Sequence, residues 1–330
     1  MPRPSSRVRL LSVCLACLPW AAAAGRPASA DDPALLPLPS FTRHALDGRF
    51  FAEGAGVGDF NHDGVPDVAA GPFWFAGPAF EERHEFAPPK PFDPRGYSDN
   101  FFAWSHDFNR DGWDDILVYG FPGQDASWFE NPRGAEGHWQ RHRVLPQVDN
   151  ESPAWTDLDG DGSPEIVCSV GGFFGYASIG RRDPAAPWVF HRISPEAAGG
   201  RFTHGLGVGD VDGDGRRDLL MVGGWWRQPV ERSGPWKKQP HAFGGQGGAQ
   251  IHASDVDGDG DQDVITSLSG HGYGLSWYEQ KMRAGAIDFV EHPILPAQAE
   301  ESLDGVQFSQ LHALELADMD GDGLKDIVTG

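Results

Sequence analysis

Six times the chain sets oxygen-bearing side chains two residues apart and then turns on a glycine. The first three runs are Asp59, Asn61, Asp63, Gly64, Asp67; then Asp107, Asn109, Asp111, Gly112, Asp115; then Asp157, Asp159, Asp161, Gly162, Glu165. The last three are Asp210, Asp212, Asp214, Gly215, Asp218; then Asp255, Asp257, Asp259, Gly260, Asp263; then Asp318, Asp320, Asp322, Gly323, Asp326. Alternate side chains point the same way, so positions 1, 3 and 5 can close on one cation. Glycine at position 6 takes the sharp turn, and position 9 supplies a further oxygen. Hard oxygen donors in a flexible loop select Ca²⁺ over softer metals, so about one Ca²⁺ per repeat is expected. The first Asp residues are 48, 50, 53, 45 and 63 residues apart, which makes the pattern a structural repeat.

An EF-hand shares this opening but needs a bidentate Glu at position 12 and flanking helices. Position 12 is Ala70, Val118, Cys168, Met221, Thr266 and Thr329, never an acid. After the loops come short β-rich runs such as Asp115-Ile116-Leu117-Val118 and Asp218-Leu219-Leu220-Met221-Val222. Runs of that length bounded by Gly or Ser predict buried strands. The EF-hand is excluded.

Composition points the same way. The chain has 330 residues, 22% of them charged, with 44 Gly and 27 Pro, which suits many short strands and turns. A net charge of −22 argues against a nucleic-acid partner, but its source is local: 22 of the 48 acids occupy positions 1, 3, 5 and 9 of the six loops. Six bound dications would bring the balance to about −10, and without them the carboxylates of each loop repel one another.

The loops from Asp210 to Asp218 and from Asp255 to Asp263 resemble the calcium loops of FG-GAP/VCBS repeats, which build integrin-like β-propellers. The resemblance covers roughly residue 40 to the end. It implies an all-β propeller; six calcium-loop repeats are visible, and the complete ring is expected to have six blades or, preferably, seven. Asn61 and Asn109 at position 3, and Glu165 at position 9, keep the oxygen but change its charge or reach, so affinity is expected to differ among blades.

The N-terminus reads as an address. Arg3, Arg7 and Arg9 precede an apolar stretch from Leu10 to Ala24, and Ala28-Ser29-Ala30 offers a cleavage site before Asp31. The run is short for a membrane span. The expected organisation is a signal peptide over 1–30, a Pro-rich linker over 31–40 and a propeller over 41–330, in a secreted protein, extracellular or periplasmic, with no stable membrane insertion after cleavage. Only Cys168 then remains, so no internal disulfide forms and calcium is the expected staple.

A second pattern recurs between the loops: an aromatic followed three residues later by His, at Phe41 and His44, Trp139 and His142, Trp188 and His191, and Phe289 and His292, with Trp236 and Gln239 as a degenerate copy. It predicts the outermost strand of each blade, with these histidines packing rather than reacting. A copy at 41–46 before the first loop predicts an outer strand that completes another blade. The chain reaches Gly330 directly after the inner strands of the sixth repeat, so a C-terminally incomplete propeller is expected.

Six residues before the first Asp of each loop stand Glu53, Phe101, Glu151, His204, Ala249 and His312, with Gln250 adjacent. If the Asp loop joins the first two strands at one end of the blade, these positions ring the channel at the other end. Trp74, Trp128, Phe173, Phe174, Trp225, Trp226 and His271-Gly-Tyr273 are expected to add an aromatic rim. Glu53, Glu151, His204 and His312 are the candidate catalytic set, able to divide base and acid roles or to hold an additional divalent metal at the channel. His106 and His252 read as packing residues.

Two function classes follow. One is a noncatalytic module whose top face binds a carbohydrate or an extracellular protein. The other is an enzyme: the segments 271–280 and 312–318 are similar to the propeller portion of aldos-2-ulose dehydratase-type lyases, which carry cupin domains after the propeller. That resemblance implies a carbon–oxygen lyase acting on a keto-sugar. Fold alone does not choose between them.

Overall fold

The computed structural model describes residues 10–12, 40–195, 199–298 and 308–330. Most of the stretch read as signal peptide and nearly all of the linker therefore lie outside the described residues. The exception is β1 (Leu10–Ser12), which runs parallel to the last strand of the chain.

No helix forms among the described residues; the chain is all-β and folds as a propeller. The first blade is β2 (Ala55–Gly58), β3 (Asp67–Ala70), β4 (Phe73–Phe75) and β5 (Arg83–Glu85). The second is β6 (Phe102–His106), β7 (Asp115–Tyr119), β8 (Gln124–Glu130) and β9 (Gln140–Val148). The third is β10 (Ala154–Thr156), β11 (Glu165–Val170), β12 (Phe173–Ser178) and β13 (Val189–Arg192). The fourth is β14 (Leu206–Gly209), β15 (Asp218–Met221), β16 (Gly224–Arg227) and β17 (Lys237–Gln239). The fifth is β18 (Ile251–Ser254), β19 (Asp263–Ser267), β20 (Leu275–Arg283) and β21 (Ala286–Leu295). An inner pair follows, β22 (Leu314–Ala317) and β23 (Asp326–Thr329). Every blade is an antiparallel meander, and each Asp loop connects its first and second strands.

The second strand of each blade reads as an unbroken apolar run because both its faces are covered. Ile116, Leu117, Ile166, Val167, Leu219, Leu220 and Val264 are fully buried. The cores lie between successive blades: Phe60, Trp74 and Phe86 of the first pack on Ile116 and Trp139 of the second. Leu158 and Val167 of the third likewise meet Leu206 and Leu219 of the fourth. Two first strands, β2 and β14, instead carry glycines, Gly56 and Gly58 in one and Gly207 and Gly209 in the other, where the neighbouring inner strand nearly touches them. A Cβ on Gly207 would fall 1.7 Å from the carbonyl oxygen of Ile251, on the strand that β14 pairs with in parallel.

The aromatic-His pattern marks outer strands at β9, β13, β17 and β21, as expected. Two points differ. Residues 41–46 form no strand, and the outer strand of the first blade is β5, with His84 at its centre. The β5 histidine lacks the upstream aromatic, so the spacing could not reveal it. What the histidines share is a cross-strand partner. His84 stacks on Trp74, His142 on Trp128, His191 on Tyr176 and His292 on Trp277, with ring centroids 3.9, 4.4, 4.8 and 4.5 Å apart. Each pair sits directly opposite in register, which makes these histidines part of the blade packing.

Candidate functional site

At one end of the blades the six acidic loops share one internal wiring. In the first, Oδ1 of Asp59 accepts the N–H of Asp63 at 3.0 Å and Oδ2 accepts that of Gly64 at 2.9 Å. The buried carboxylate at position 9 accepts the N–H of position 2: Phe60 to Asp67, Phe108 to Asp115, Leu158 to Glu165, Val211 to Asp218, Val256 to Asp263 and Met319 to Asp326, all at 2.8–3.1 Å. Position 2 is also a plug of the inter-blade core, with Phe60, Phe108, Leu158 and Val211 almost wholly buried. The next blade grips the same residue: Asn131 donates to the carbonyl of Phe60 and Gln228 to that of Leu158, at 2.9 and 2.8 Å. An ordered acidic loop therefore means an ordered blade interface.

The donor chemistry fits a hard dication. In the third loop Asp157, Asp159, Asp161 and Glu165 all bring a carboxylate oxygen within 4.8 Å of one another, and three carboxylates do so in each of the last three loops. Burial, aided by neighbouring loop carboxylates, pushes Asp115, Glu165 and Asp218 up to about 7. Oδ1 of Asp212 is buried without a hydrogen-bond partner. These are the marks of anionic oxygens gathered for a cation. In the first two loops the asparagine compensates in part: Nδ2 of Asn61 donates to Asp63 and Nδ2 of Asn109 to Asp111, at 2.9 and 3.2 Å.

The opposite end carries a different constellation. Glu151, His204 and His312 each precede the inner strand of their blade, and His271 lies in the β19–β20 connection, so all four sit away from the Asp loops. Nε2 of His204 lies 2.8 Å from Oε2 of Glu151, with side chains 14% and 17% exposed. The contact is close but poorly aligned, and that nitrogen has no well-formed hydrogen bond. The ring of His312 lies 5.1 Å from that of His204 and 4.6 Å from that of His271. Burial would raise the Glu151 carboxyl, but contact with His204 and the field of the three imidazoles outweigh it and hold it below its ordinary value. Burial, and then the neighbouring imidazoles His204 and His271, hold His312 below the ordinary histidine value, so it favours the neutral form.

Three of the four channel residues named from sequence thus converge. Glu53 does not join them: its carboxylate accepts the N–H of Ser98 at 2.9 Å and the Ser98 hydroxyl. His271 was grouped with the aromatic rim, and nothing in its spacing marked it as a partner of His204 and His312. The rim itself needs correction. Trp74, Trp128, Phe174, Trp225 and Trp226 are buried in the blades, because residues after the second strand's turn belong to the third strand. The aromatics at this end are Tyr97, Phe101, Phe121 and Phe202, linked ring to ring at 5.1–5.9 Å. Arg201 lies over Phe121 and Phe202, while Tyr97 is 64% and Phe202 42% exposed. A cavity of about 550 Å³ beside them is lined by Phe174, Phe202, Thr203, His204, Lys238 and Gln246. His252 is a packing residue, with Nε2 2.7 Å from the carbonyl of Leu314 on the next blade. His106 packs on Phe108 and Trp155.

Residues 107–168 and 255–329 match the family model of FG-GAP-like repeats. Those two stretches carry FG-GAP-like repeats. No curated protein sequence matches it. Among solved structures, this FG-GAP-like repeat chain is similar to an Agrocybe aegerita lectin described as recognising non-reducing terminal N-acetylglucosamine: 19% identity over 83% of this chain and 73% of the lectin, with a TM-score of 0.50. It is also similar to the V. cholerae biofilm matrix protein Bap1, at 15% identity over 69% of this chain and 38% of that one, TM-score 0.41. At such identity the lectin likeness speaks for the fold alone. No helix among the described residues is long and apolar enough to cross a membrane.

Proposed function

We propose that the chain is a secreted, calcium-braced propeller module that takes a carbohydrate on the face opposite the acidic loops. The observation that carries this reading is the partly exposed aromatic patch of Tyr97, Phe101, Phe121 and Phe202, capped by Arg201 and opening on the cavity at His204 and Lys238. Sugar rings bury their C–H faces on aromatic side chains while hydroxyls take directed hydrogen bonds, and such a site combines a largely apolar floor with a few polar groups. The fold shared with a lectin of N-acetylglucosamine agrees with a glycan ligand. In each loop the first, third, fifth and ninth residues would hold Ca²⁺, which supplies charge compensation and fixes the blade interface through position 2. Binding of the calcium-loaded chain to an oligosaccharide panel tests the reading. Tyr97→Ala and Phe202→Ala should each weaken the glycan signal at least tenfold; a protein ligand captured through the same residues, with no glycan bound, would overturn the carbohydrate assignment.

The convergence of Glu151 on three imidazoles favours a second reading, a carbon–oxygen lyase acting on a keto-sugar. Glu151, held ionised, would take the proton next to the carbonyl, and an imidazolium would protonate the departing hydroxyl, so that one water leaves and a conjugated enone remains. Formation of the enone absorbance on incubation with keto-sugars, abolished in Glu151→Gln, is the check. A chain that binds glycans and never forms an enone is the binding module alone.

A further inference from the structure

Three imidazoles from three successive blades meet at one end of the channel, and the backbone holds their carriers together. The N–H of Gly270 donates to the carbonyl of Gly247 at 2.8 Å, tying the His271 connection to the segment after His204's blade. The N–H of Gln310 donates to the carbonyl of Gly272 at 2.8 Å, tying that connection to the segment of His312. The N–H of Glu151 donates to the carbonyl of Thr203, at 2.9 Å, fixing the carboxylate beside His204. Gly270 leaves the room they need: a Cβ there would sit 2.7 Å from Nε2 of His312 and 2.9 Å from Cδ2 of His204. Three imidazoles that repel one another when protonated would not be clamped this way for packing alone, since apolar side chains pack without that cost.

We propose that His204, His271 and His312, with Glu151 completing the donor set, bind one borderline transition-metal dication of the Zn²⁺ or Co²⁺ kind. Neutral imidazole suits such metals and is a poor ligand for Ca²⁺, so this site is chemically distinct from the acidic loops at the far end. One ligand atom from each histidine already lies within 4.8 Å of the others. Tetrahedral coordination with ordinary metal–nitrogen bonds places ligand nitrogens about 3.4 Å apart, which small side-chain rotations reach. Glu151 can ligate directly or orient His204 through their contact, either of which a histidine–metal site uses.

Metal binding here does not depend on whether the aromatic patch takes a glycan. The full chain is stripped with chelator, reloaded with Ca²⁺ and titrated with Co²⁺ by visible absorption and with Zn²⁺ by calorimetry. One equivalent of each should bind, Co²⁺ with a tetrahedral or five-coordinate spectrum, and excess Ca²⁺ should not displace it. His271→Ala and His312→Ala should each weaken binding at least tenfold while the calcium-dependent Tm stays unchanged. If His312→Ala fails to fold, the exposed His271 decides alone. A folded, calcium-loaded chain that takes up neither metal, or that binds it equally well in His271→Ala, overturns the assignment.

Discussion

The guanidinium of Arg227 lies inside the fourth acidic loop, with Nε 2.5 Å from Oδ2 of Asp212 and Nη2 2.9 Å from Oδ2 of Asp214. Burial raises Asp212, and Asp214 adds to it. Asp214 is held low because its bonds to Arg227 and to the N–H of Arg216 outweigh burial. A side-chain cation thus occupies part of the space a dication would use, and Ca²⁺ must displace it. Arg227→Leu should tighten calcium binding at this loop by about two- to fivefold, a modest gain because the half-exposed guanidinium is screened by solvent. Calorimetry resolving the individual loops checks it; weaker binding in the variant would mean that Arg227 supports the loaded loop instead.

The loops should also impose a pH dependence. An unfolded carboxyl titrates near pH 4, whereas Asp115, Glu165 and Asp218 are pushed up to about 7 in the metal-free fold. Between those limits the folded state holds protons that the unfolded chain has released. Stability of the chelated protein should therefore fall as pH rises from about 4 to 7. Calcium takes the place of those protons, so the gain in Tm on adding Ca²⁺ should be small at about pH 5 and large near pH 7.5. A gain independent of pH would show that these carboxylates do not respond to the ion.

The histidines on the outer strands should matter to stability and not to ligand. His142 lies flat on the buried Trp128, and its Nε2 is 2.8 Å from Glu130. His142→Ala should lower unfolding free energy by about 1–2 kcal/mol in urea titrations with calcium present, leaving binding at the opposite end unchanged. Loss of ligand binding with stability intact would reassign the residue.

How much of this was readable in the chain differs by element. The acidic loops and the strands after them were legible because metal chemistry and burial both constrain local spacing: ligands at positions 1, 3, 5 and 9, then a continuous apolar run. The register of Glu151, His204 and His312 was legible because blade rotation carries local register into space. Residues 41–46 show the limit, since an aromatic and a histidine at the right separation formed no strand there. His271 shows it more sharply. Its place beside His312 depends on two backbone bonds between connections of different blades, and local patterning holds no trace of such long-range pairs. The tryptophans misread as a rim were misplaced by a single turn length, which moved them from a surface connection into the buried third strand.

Export can be checked on the purified product. The Arg-flanked apolar stretch and Ala28-Ser29-Ala30 predict a mature chain beginning near Asp31. Intact mass should show it, with Cys168 unmodified: this thiol is free, fully buried and pushed up by burial, so it should alkylate only after unfolding. Material that retains Met1, or a Cys168 that reacts in the native, calcium-loaded chain, would contradict the reading.

Gly270 offers the cleanest perturbation of the histidine cluster, because its backbone does not require glycine. It is absent from the residues with positive φ, so alanine is tolerated by the main chain. The added Cβ would instead meet side-chain atoms, Nε2 of His312 at 2.7 Å and Cδ2 of His204 at 2.9 Å. The His312 ring is the free end of a side chain and can swing aside at little cost to the fold. Gly270→Ala should therefore keep its calcium-dependent Tm within about 1 °C, a shift below about 1 kcal/mol for a chain of this size. The rings it spreads should bind Co²⁺ at least tenfold more weakly and with an altered spectrum. A fall in Tm with unchanged metal affinity would place the role of Gly270 in packing, and unchanged behaviour in both would show that the clamp on the three imidazoles is loose.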